Sequence, residues 1–376
     1  MLSLSRMSIV LFLSLVSLPL VSSKACTSKL AVATIHNFNP DDLLNGNDGM
    51  PPHPLNPLRY GKPVLHIDVD GNGIEEHANS ISFFNNKKYY MYTEAWSCGR
   101  ISFFPGRLVS QSPPPGYNQS RYPDIETGGQ CGILTCSSPD LTSWKLEDVY
   151  LPTGFELTLN KPRVVYSPKT KKYNLWYSAG NALRTTGGFW VATSDSPAGP
   201  WSAPTQATGP NLAHDYDISQ APDGSYWIVT DVFSGEFVGS DRKPYWNLWV
   251  QKLNEECNGM VASNETSVEI MHSVDWQAVA FSNRNGWWYI TSSTTCSNCQ
   301  VPTRYIRARS PLGPWETETG ARDFATLNEG TLLTADGCTG QNKDASQMPS
   351  PDGGEDIVLT FIWGIDLRRR ITWLMA

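Results

Sequence analysis

Four stretches of this chain share one design: an apolar run, a short turn, then an aromatic run. Asn79-Ser80-Ile81-Ser82-Phe83-Phe84 passes through Asn85-Asn86-Lys87-Lys88 into Tyr89-Tyr90-Met91-Tyr92. Arg163-Val164-Val165-Tyr166 passes through Ser167–Lys172 into Tyr173-Asn174-Leu175-Trp176-Tyr177. His214-Asp215-Tyr216-Asp217-Ile218 leads through Pro222-Asp223-Gly224 into Tyr226-Trp227, and Gln277-Ala278-Val279-Ala280-Phe281 through Asn285-Gly286 into Trp287-Trp288-Tyr289-Ile290. Asp-Gly and Asn-Gly between such runs are strong hairpin signals, because glycine accepts the positive φ that tight turns demand.

Each hairpin is followed by material for a second pair of strands. Gly132–Cys136 leads to Ser138-Pro139-Asp140-Leu141-Thr142-Ser143-Trp144, Gly188–Thr193 to Ser196-Pro197-Ala198-Gly199-Pro200-Trp201, and Tyr305–Ala308 to Ser310-Pro311-Leu312-Gly313-Pro314-Trp315. Leu248–Leu253 is the copy that lacks the Ser-Pro turn. A four-stranded unit repeated in this way is the mark of an all-β propeller. The anchors Ile81, Val164, Ile218 and Val279 lie 83, 54 and 61 residues apart, and the Gly106–Gly129 stretch, read as a surface loop outside the strand count, accounts for the long first gap. Ile357–Phe361 and Ile371–Leu374 supply one more unit. The expectation is a five-bladed β-propeller of four-stranded blades over residues 65–376, almost without helix.

Residues 1–23 read as a secretory signal peptide: Arg6 precedes an apolar run, Ile9–Val21, too short to span a bilayer well, with Ser22, Ser23 and Ala25 as small residues for cleavage. Residues 24–64, rich in Pro, Asn and Gly from Pro40 to Pro63, read as an extended N-terminal arm. A secreted, extracellular protein is expected, with no membrane partner. The eight cysteines, an even number, then favour disulfides over a zinc site at Cys296 and Cys299. Asn118 and Asn264 match the N-glycosylation acceptor. A net charge of −7 argues against nucleic acid, since phosphate binding needs clustered Lys and Arg. No metal or cofactor is implied, and a monomer is expected.

The polar residues at the start of each inner strand are the candidates for chemistry, because inner strands converge on a propeller's axis. They are Glu76 and His77, then Asn160 with Lys161, then Asp215 and Asp217, then Asp275 and Gln277, then Gln341. Glu94 ends the first hairpin, and Trp363 adds an aromatic surface. Carboxylates beside aromatic rings suit sugars, which stack on rings and donate hydroxyl hydrogen bonds. The competing role for Asp215 and Asp217 is capping turns and loop amides.

The hairpin order, the Ser-Pro turns ending in Trp, and the acidic stretch before Pro222-Asp223-Gly224 resemble glycoside hydrolase family 43, closest to its exo-β-1,3-galactanase branch. The resemblance covers roughly residues 65–365 and implies a five-bladed propeller that hydrolyses a β-1,3-galactan or related polysaccharide with inversion, without a cofactor. It also implies that Asp215 orients the general acid, Glu94 contacts sugar, and Gln341 holds the attacking water. The general-acid Glu falls on Gln277 and a further Glu on Asn160. Gln cannot supply a proton, and a positioned acid is typically worth ~10²–10⁴ in rate. Asp275 could substitute only if the strand entry bulges, since period-2 alternation otherwise puts both on one face with Asp275 further up the channel. The alternatives are a propeller that binds carbohydrate without cutting it and a secreted protein-interaction module.

Overall fold

The computed structural model describes residues 68–70, 74, 77–94, 101–104, 107–110, 132–152, 158–180, 187–209, 213–238, 243–261, 263, 265–294, 302–334, 341–349, 351, 357–366 and 369–375. The expected signal peptide, the arm, Asn118 and Asn264 lie outside the described residues.

The first hairpin is β1 (His77–Phe84) and β2 (Lys88–Glu94). A separate two-stranded sheet follows, β3 (Ile101–Phe104) with β4 (Arg107–Ser110), before β5 (Ile133–Ser138) and β6 (Lys145–Tyr150) complete the first four-stranded sheet. β4 begins inside the stretch expected to be only a loop; it pairs with β3 alone and adds nothing to a blade. The second sheet is β7 (Thr158–Ser167), β8 (Lys172–Gly180), β9 (Gly187–Ser194) and β10 (Thr205–Gln206). The third is β11 (Ala213–Gln220), β12 (Tyr226–Val238), β13 (Lys243–Lys252) and β14 (Ser267–Val274). β15 (Gln277–Arg284), β16 (Trp287–Ser293), β17 (Thr303–Ala308) and β18 (Thr331–Thr334) form the fourth. One helix among the described residues, α1 (Phe324–Glu329), is capped by Asp323, whose carboxylate accepts the Thr326 N–H.

The fold is an all-β propeller with, among the described residues, four four-stranded blades, one fewer than expected. The remaining sheet, β19 (Gln341–Met348), β20 (Ile357–Asp366) and β21 (Arg369–Met375), has three strands. Neighbouring inner strands touch in the order β1, β7, β11, β15, β19 and back to β1.

Each blade buries both faces. One apolar cluster joins Tyr90, Tyr92 and Ile133 to Val164, Leu175 and Tyr177, and the next joins Val165, Trp176 and Phe189 to Tyr216, Ile218 and Ile228. A third joins Val229 and Leu248 to Phe281 and Trp288, while Met348 packs against Ile81 and Met91. The Trp residues closing the outer turns are plugs for these seams: Trp201 meets Tyr92 edge-on at 6.2 Å, and Trp315 lies 6.4 Å from Phe281. In the first such turn Asp140 accepts the Thr142 and Ser143 N–H groups at 2.9 and 2.7 Å, holding Leu141 at φ 64.

Strand register reveals a second repetition. His77 pairs with Glu94 and Ser80 with Tyr92, so three steps on β1 match two on β2. The same one-residue excess occurs at Asn160–Arg163, Ala213–Tyr216 and Gln277–Ala280, and in shorter form at Asn342–Asp344. Every inner strand therefore bulges at its leading end, and five regularly paired residues then run to the hairpin. Counted from the bulge, Asp217 and Phe281 stand level with Ile81 and Val164, which corrects the anchors Ile218 and Val279.

That level is tied together by Asp217, which is 1% exposed. Its carboxylate accepts the Ile218 N–H at 2.7 Å on its own strand, the Phe281 N–H at 2.8 Å from β15 and the Ala345 N–H at 3.3 Å from β19. It also pairs with the Arg163 guanidinium from β7. Arg163 in turn donates to Ser346 Oγ and the Ala345 carbonyl, both at 3.1 Å, and Ser346 Oγ accepts the Ile81 N–H of β1 at 3.0 Å. Two charged side chains and one serine thus bridge all five inner strands.

Breaking a buried pair strands the surviving charge, at a cost of about 3–5 kcal/mol. Asp217→Ala should lose that much in urea unfolding, and the double variant Arg163→Met/Asp217→Leu should lose less than the two single variants added. A loss near zero for Asp217→Ala would remove the axial tie as a stabilising element.

The Asp140 turn carries a pH dependence. Burial pushes the Asp140 carboxyl up, but the Ser143 and Thr142 N–H groups outweigh it and hold the pKa at about 2, below its ordinary 3.8. A carboxyl more acidic in the folded than in the unfolded chain stabilises above its unfolded pKa. That contribution should be complete above about pH 4 and fade as pH falls to about 2, and Asp140→Asn should flatten the acid limb of a stability–pH curve.

Candidate carbohydrate site at the leading ends of the inner strands

The bulges gather the predicted residues at one end of the axis. Bulges re-aim side chains and are common beside active sites. Here they put His77, Asn160, Ala213 and Gln277 at equivalent positions, followed by Ala78, Lys161, His214 and Ala278. Ala78 and Lys161 take the left-handed conformation, φ 45 and 53.

Glu94, at the end of β2 and fully buried, accepts the Lys161 backbone N–H through Oε1. Lys161 is 2% exposed and crosses to the fourth blade, where Nζ donates to the Val279 carbonyl at 2.8 Å. Val279 lies in the bulge that begins at Gln277, so the cation of one blade holds the bulge of another. Ser80 Oγ adds a bond to the Pro162 carbonyl at 2.6 Å.

Asp215 is 3% exposed, and its backbone N–H donates to Asp231 Oδ1 at 2.6 Å. Asp231, on β12, is fully buried and was not singled out from the sequence, where it reads as an interruption in Val229-Thr230-Asp231-Val232. Its polarity inside an inner-hairpin strand was the available signal.

Gln277 is 3% exposed, and its carbonyl accepts Ser292 Oγ at 2.6 Å. The β15 bulge falls after Gln277, not between it and Asp275. Asp275 lies in the two-residue link between β14 and β15, half-buried, beside Trp276, whose Nε1 donates to the Asn328 carbonyl at 2.8 Å.

Asp217, expected to bind substrate, has both oxygens engaged in the axial tie one step below. The capping role, the competing reading of the sequence, describes what it does. Asn160 is half-buried on β7. Gln341 and Trp363 pair with each other across β19 and β20, placing both at the same leading end. Glu76 lies outside the described residues.

Four buried carboxylates, Glu94, Asp215, Asp217 and Asp231, accompany two buried cations, Lys161 and Arg163. Asp217 and Arg163 are committed to the axial tie, and Glu94 and Asp215 are the leading-end carboxylates whose chemistry suits accepting hydrogen bonds from sugar hydroxyls. Among the described residues no group of three His, Cys, Asp or Glu side chains could hold a metal ion. Of the cysteines expected in disulfides, Cys136 and Cys257 are buried, and burial pushes the Cys257 thiol up to about 11. The other six lie outside the described residues. No helix among the described residues is long and apolar enough to cross a membrane.

A sequence profile of glycosyl hydrolases family 43 matches residues 120–330, more than half of the chain. The protein belongs to that family. Its fold is similar to the exo-β-1,3-galactanase of Phanerochaete chrysosporium solved with galactose, at a TM-score of 0.57 and 16% identity, over 83% of this chain and 63% of that one. It is also similar to an exo-β-1,3-galactanase from Clostridium thermocellum (TM-score 0.59, 14% identity, 84% of this chain, 61% of that one). A third is a putative exo-β-1,3-galactanase from Bifidobacterium bifidum s17 (TM-score 0.54, 15% identity, 83% and 95%). The chain thus spans less than two thirds of the first two enzymes' lengths. No curated protein sequence matches it.

Losing the Asp231 acceptor leaves the Asp215 N–H buried without it, at about 1–3 kcal/mol. Asp231→Ala should cost that much in urea unfolding, and Asp231→Asn, which keeps an acceptor oxygen, should cost less. Equal stability of the two variants would show that the bond does not hold the β11 bulge.

Proposed function

We propose that this is a secreted, five-bladed family 43 propeller acting as a monomer on a β-1,3-galactan or related galactose-containing glycan. The observation that carries the substrate reading is the cluster of Glu94, Lys161, Asp215 and Gln277 at one end of the axis on equivalent bulges. The five-bladed reading is supported by the closed order of the inner strands, in which β19 bridges β15 and β1. The three-stranded sheet is then the fifth blade. The galactan reading is supported by the three galactanases of similar fold.

Hydrolysis by this site would be inverting: Asp215 orients the acid, Gln341 positions water, and Asp275 donates the proton in place of Gln277. A second reading, binding without cleavage, is favoured by one observation: the bulge lies on the wrong side of Gln277 to bring Asp275 inward.

Incubation with β-1,3-galactan, with the product anomer read by NMR at early times, separates the two. If the site cuts, the first product has inverted configuration and Asp275→Asn lowers kcat by ~10²–10⁴. If the site only binds, wild type gives no product, Gln277→Glu gains hydrolysis, and Glu94→Ala weakens galactan binding by about 1–3 kcal/mol. Neither turnover nor binding in wild type and Gln277→Glu alike would overturn both readings and leave a protein-interaction module.

A further inference from the structure

At the other end of the axis, beneath the Asp217–Arg163 pair, the inner strands line an open cavity of about 370 Å³. It touches none of the leading-end residues and is lined from β1, β7, β11, β15 and β19, with Arg163 at its floor and Tyr226 in its wall. Its volume lies within the ~300–1,000 Å³ of small-molecule sites.

The backbone decides what the cavity presents. Along an antiparallel inner strand, the N–H and C=O of alternate residues point to the partner strand or to the axis. The Ile81, Phe281 and Ala345 N–H groups point to the axis, as do the Val164 and Ala345 carbonyls, because side chains bond them there. These residues share the level of Asp217, and protein side chains serve that level. Two residues further along β1, β15 and β19 stand Phe83, Asn283 and Gln347, and on β11, where the Ile218 N–H faces the axis, the corresponding residue is Gln220; all four line the cavity, as does Ser219. By the same alternation their N–H and C=O groups face it. Gln220, Asn283 and Gln347, all lining residues, carry carboxamides, of which that of Gln220 donates through Nε2 to the Gly224 carbonyl at 3.2 Å.

Every group in this ring is either paired donor-and-acceptor backbone or an amide, which is also both. Arg163 adds no net charge, because Asp217 neutralises it. An anion would meet the carbonyls and a cation would meet the N–H groups and the guanidinium. A hydroxyl donates and accepts at once, so a ring of hydroxyls answers such a wall in full. Burial raises the Tyr226 phenol to about 12, so it stays neutral beside this ring.

We propose that the hairpin-end cavity is a second binding site, specific for a neutral, hydroxyl-rich ligand of about one sugar ring, such as a hexose or cyclic polyol. It is independent of the leading-end site, and the axial tie separates the two.

The test uses galactose and myo-inositol as neutral probes and galacturonate and galactosamine as charged ones. Ligand-observed NMR would follow binding to wild type, Asn283→Leu, Ser219→Phe and Gln277→Leu. Asn283 is half-buried, so Asn283→Leu carries the test if Ser219→Phe does not fold. The expected result is that a neutral probe binds wild type at least tenfold more tightly than either charged probe, that the hairpin-end substitutions weaken it at least tenfold, and that Gln277→Leu leaves this binding in place. The proposal is overturned if no neutral probe binds wild type, if charged probes bind equally, or if Gln277→Leu alone removes the binding while Asn283→Leu retains it. Absence of galactan hydrolysis bears on the leading-end site alone and leaves these binding curves untouched.

Discussion

The inner strand of a propeller blade is an edge strand: one side pairs with its neighbour in the sheet, and the other faces the axis with its amides unpaired. Edge amides invite pairing with other chains or demand cover. Here the cover is one carboxylate. Asp217 takes N–H groups from β11, β15 and β19, and the guanidinium it attracts from β7 extends the bond set through Ser346 to β1. A buried carboxylate is tolerable only with such a set of donors, since an unpaired charge in the interior would cost several kcal/mol. The same bonds that satisfy the charge thus also fix the blades around the axis.

That tie gives the channel two ends. Above it lie the bulges, where each strand gains one residue and Glu94, Lys161, Asp215 and Gln277 gather. Below it lie five regularly paired residues and the cavity. Because blades touch through apolar seams on both faces, only the strand ends and edges are free to carry chemistry. Lys161 shows how tightly the leading end is interlocked: its backbone is held by the first blade and its ammonium by the fourth.

The propeller was legible in the sequence because its signals are local. Apolar runs flank turns whose residues accept positive φ, as Asn285 and Gly286 do at φ 52 and 73. That Trp144, Trp201 and Trp315 close the outer turns was also visible, since the Ser-Pro turn fixes where each falls; that they plug the seams between blades was not. Bulges were not legible, because an extra residue in a strand leaves the composition unchanged; that is why Ile218 and Val279 looked like anchors when Asp217 and Phe281 hold the level. Asp217 read as a site residue for the same reason: a carboxylate beside the axis looks alike in sequence whether a sugar or four protein donors will occupy it. Asp231 escaped notice because its partner is a backbone N–H, which no side-chain pattern records. Among the described residues the last sheet has three of the four strands expected.

The proposed function sets Gln277 where a general-acid carboxyl would stand, and its surroundings decide what that placement means. Glu94, Asp215 and Asp231 already place three buried carboxylates at the leading end, with Lys161 as the cation among them. A further carboxyl at position 277 would be desolvated and set among like charges, and both effects favour its protonated form. Protonated is the state a general acid needs before it acts, so the surroundings that would make a glutamate costly as an anion would make it useful as a donor. Gln277 keeps the shape and hydrogen-bonding reach of that protonated group and removes the transferable proton. Under the proposed function, the scaffold around position 277 still suits a neutral donor to a sugar oxygen, and binding the sugar and protonating it separate at this one atom.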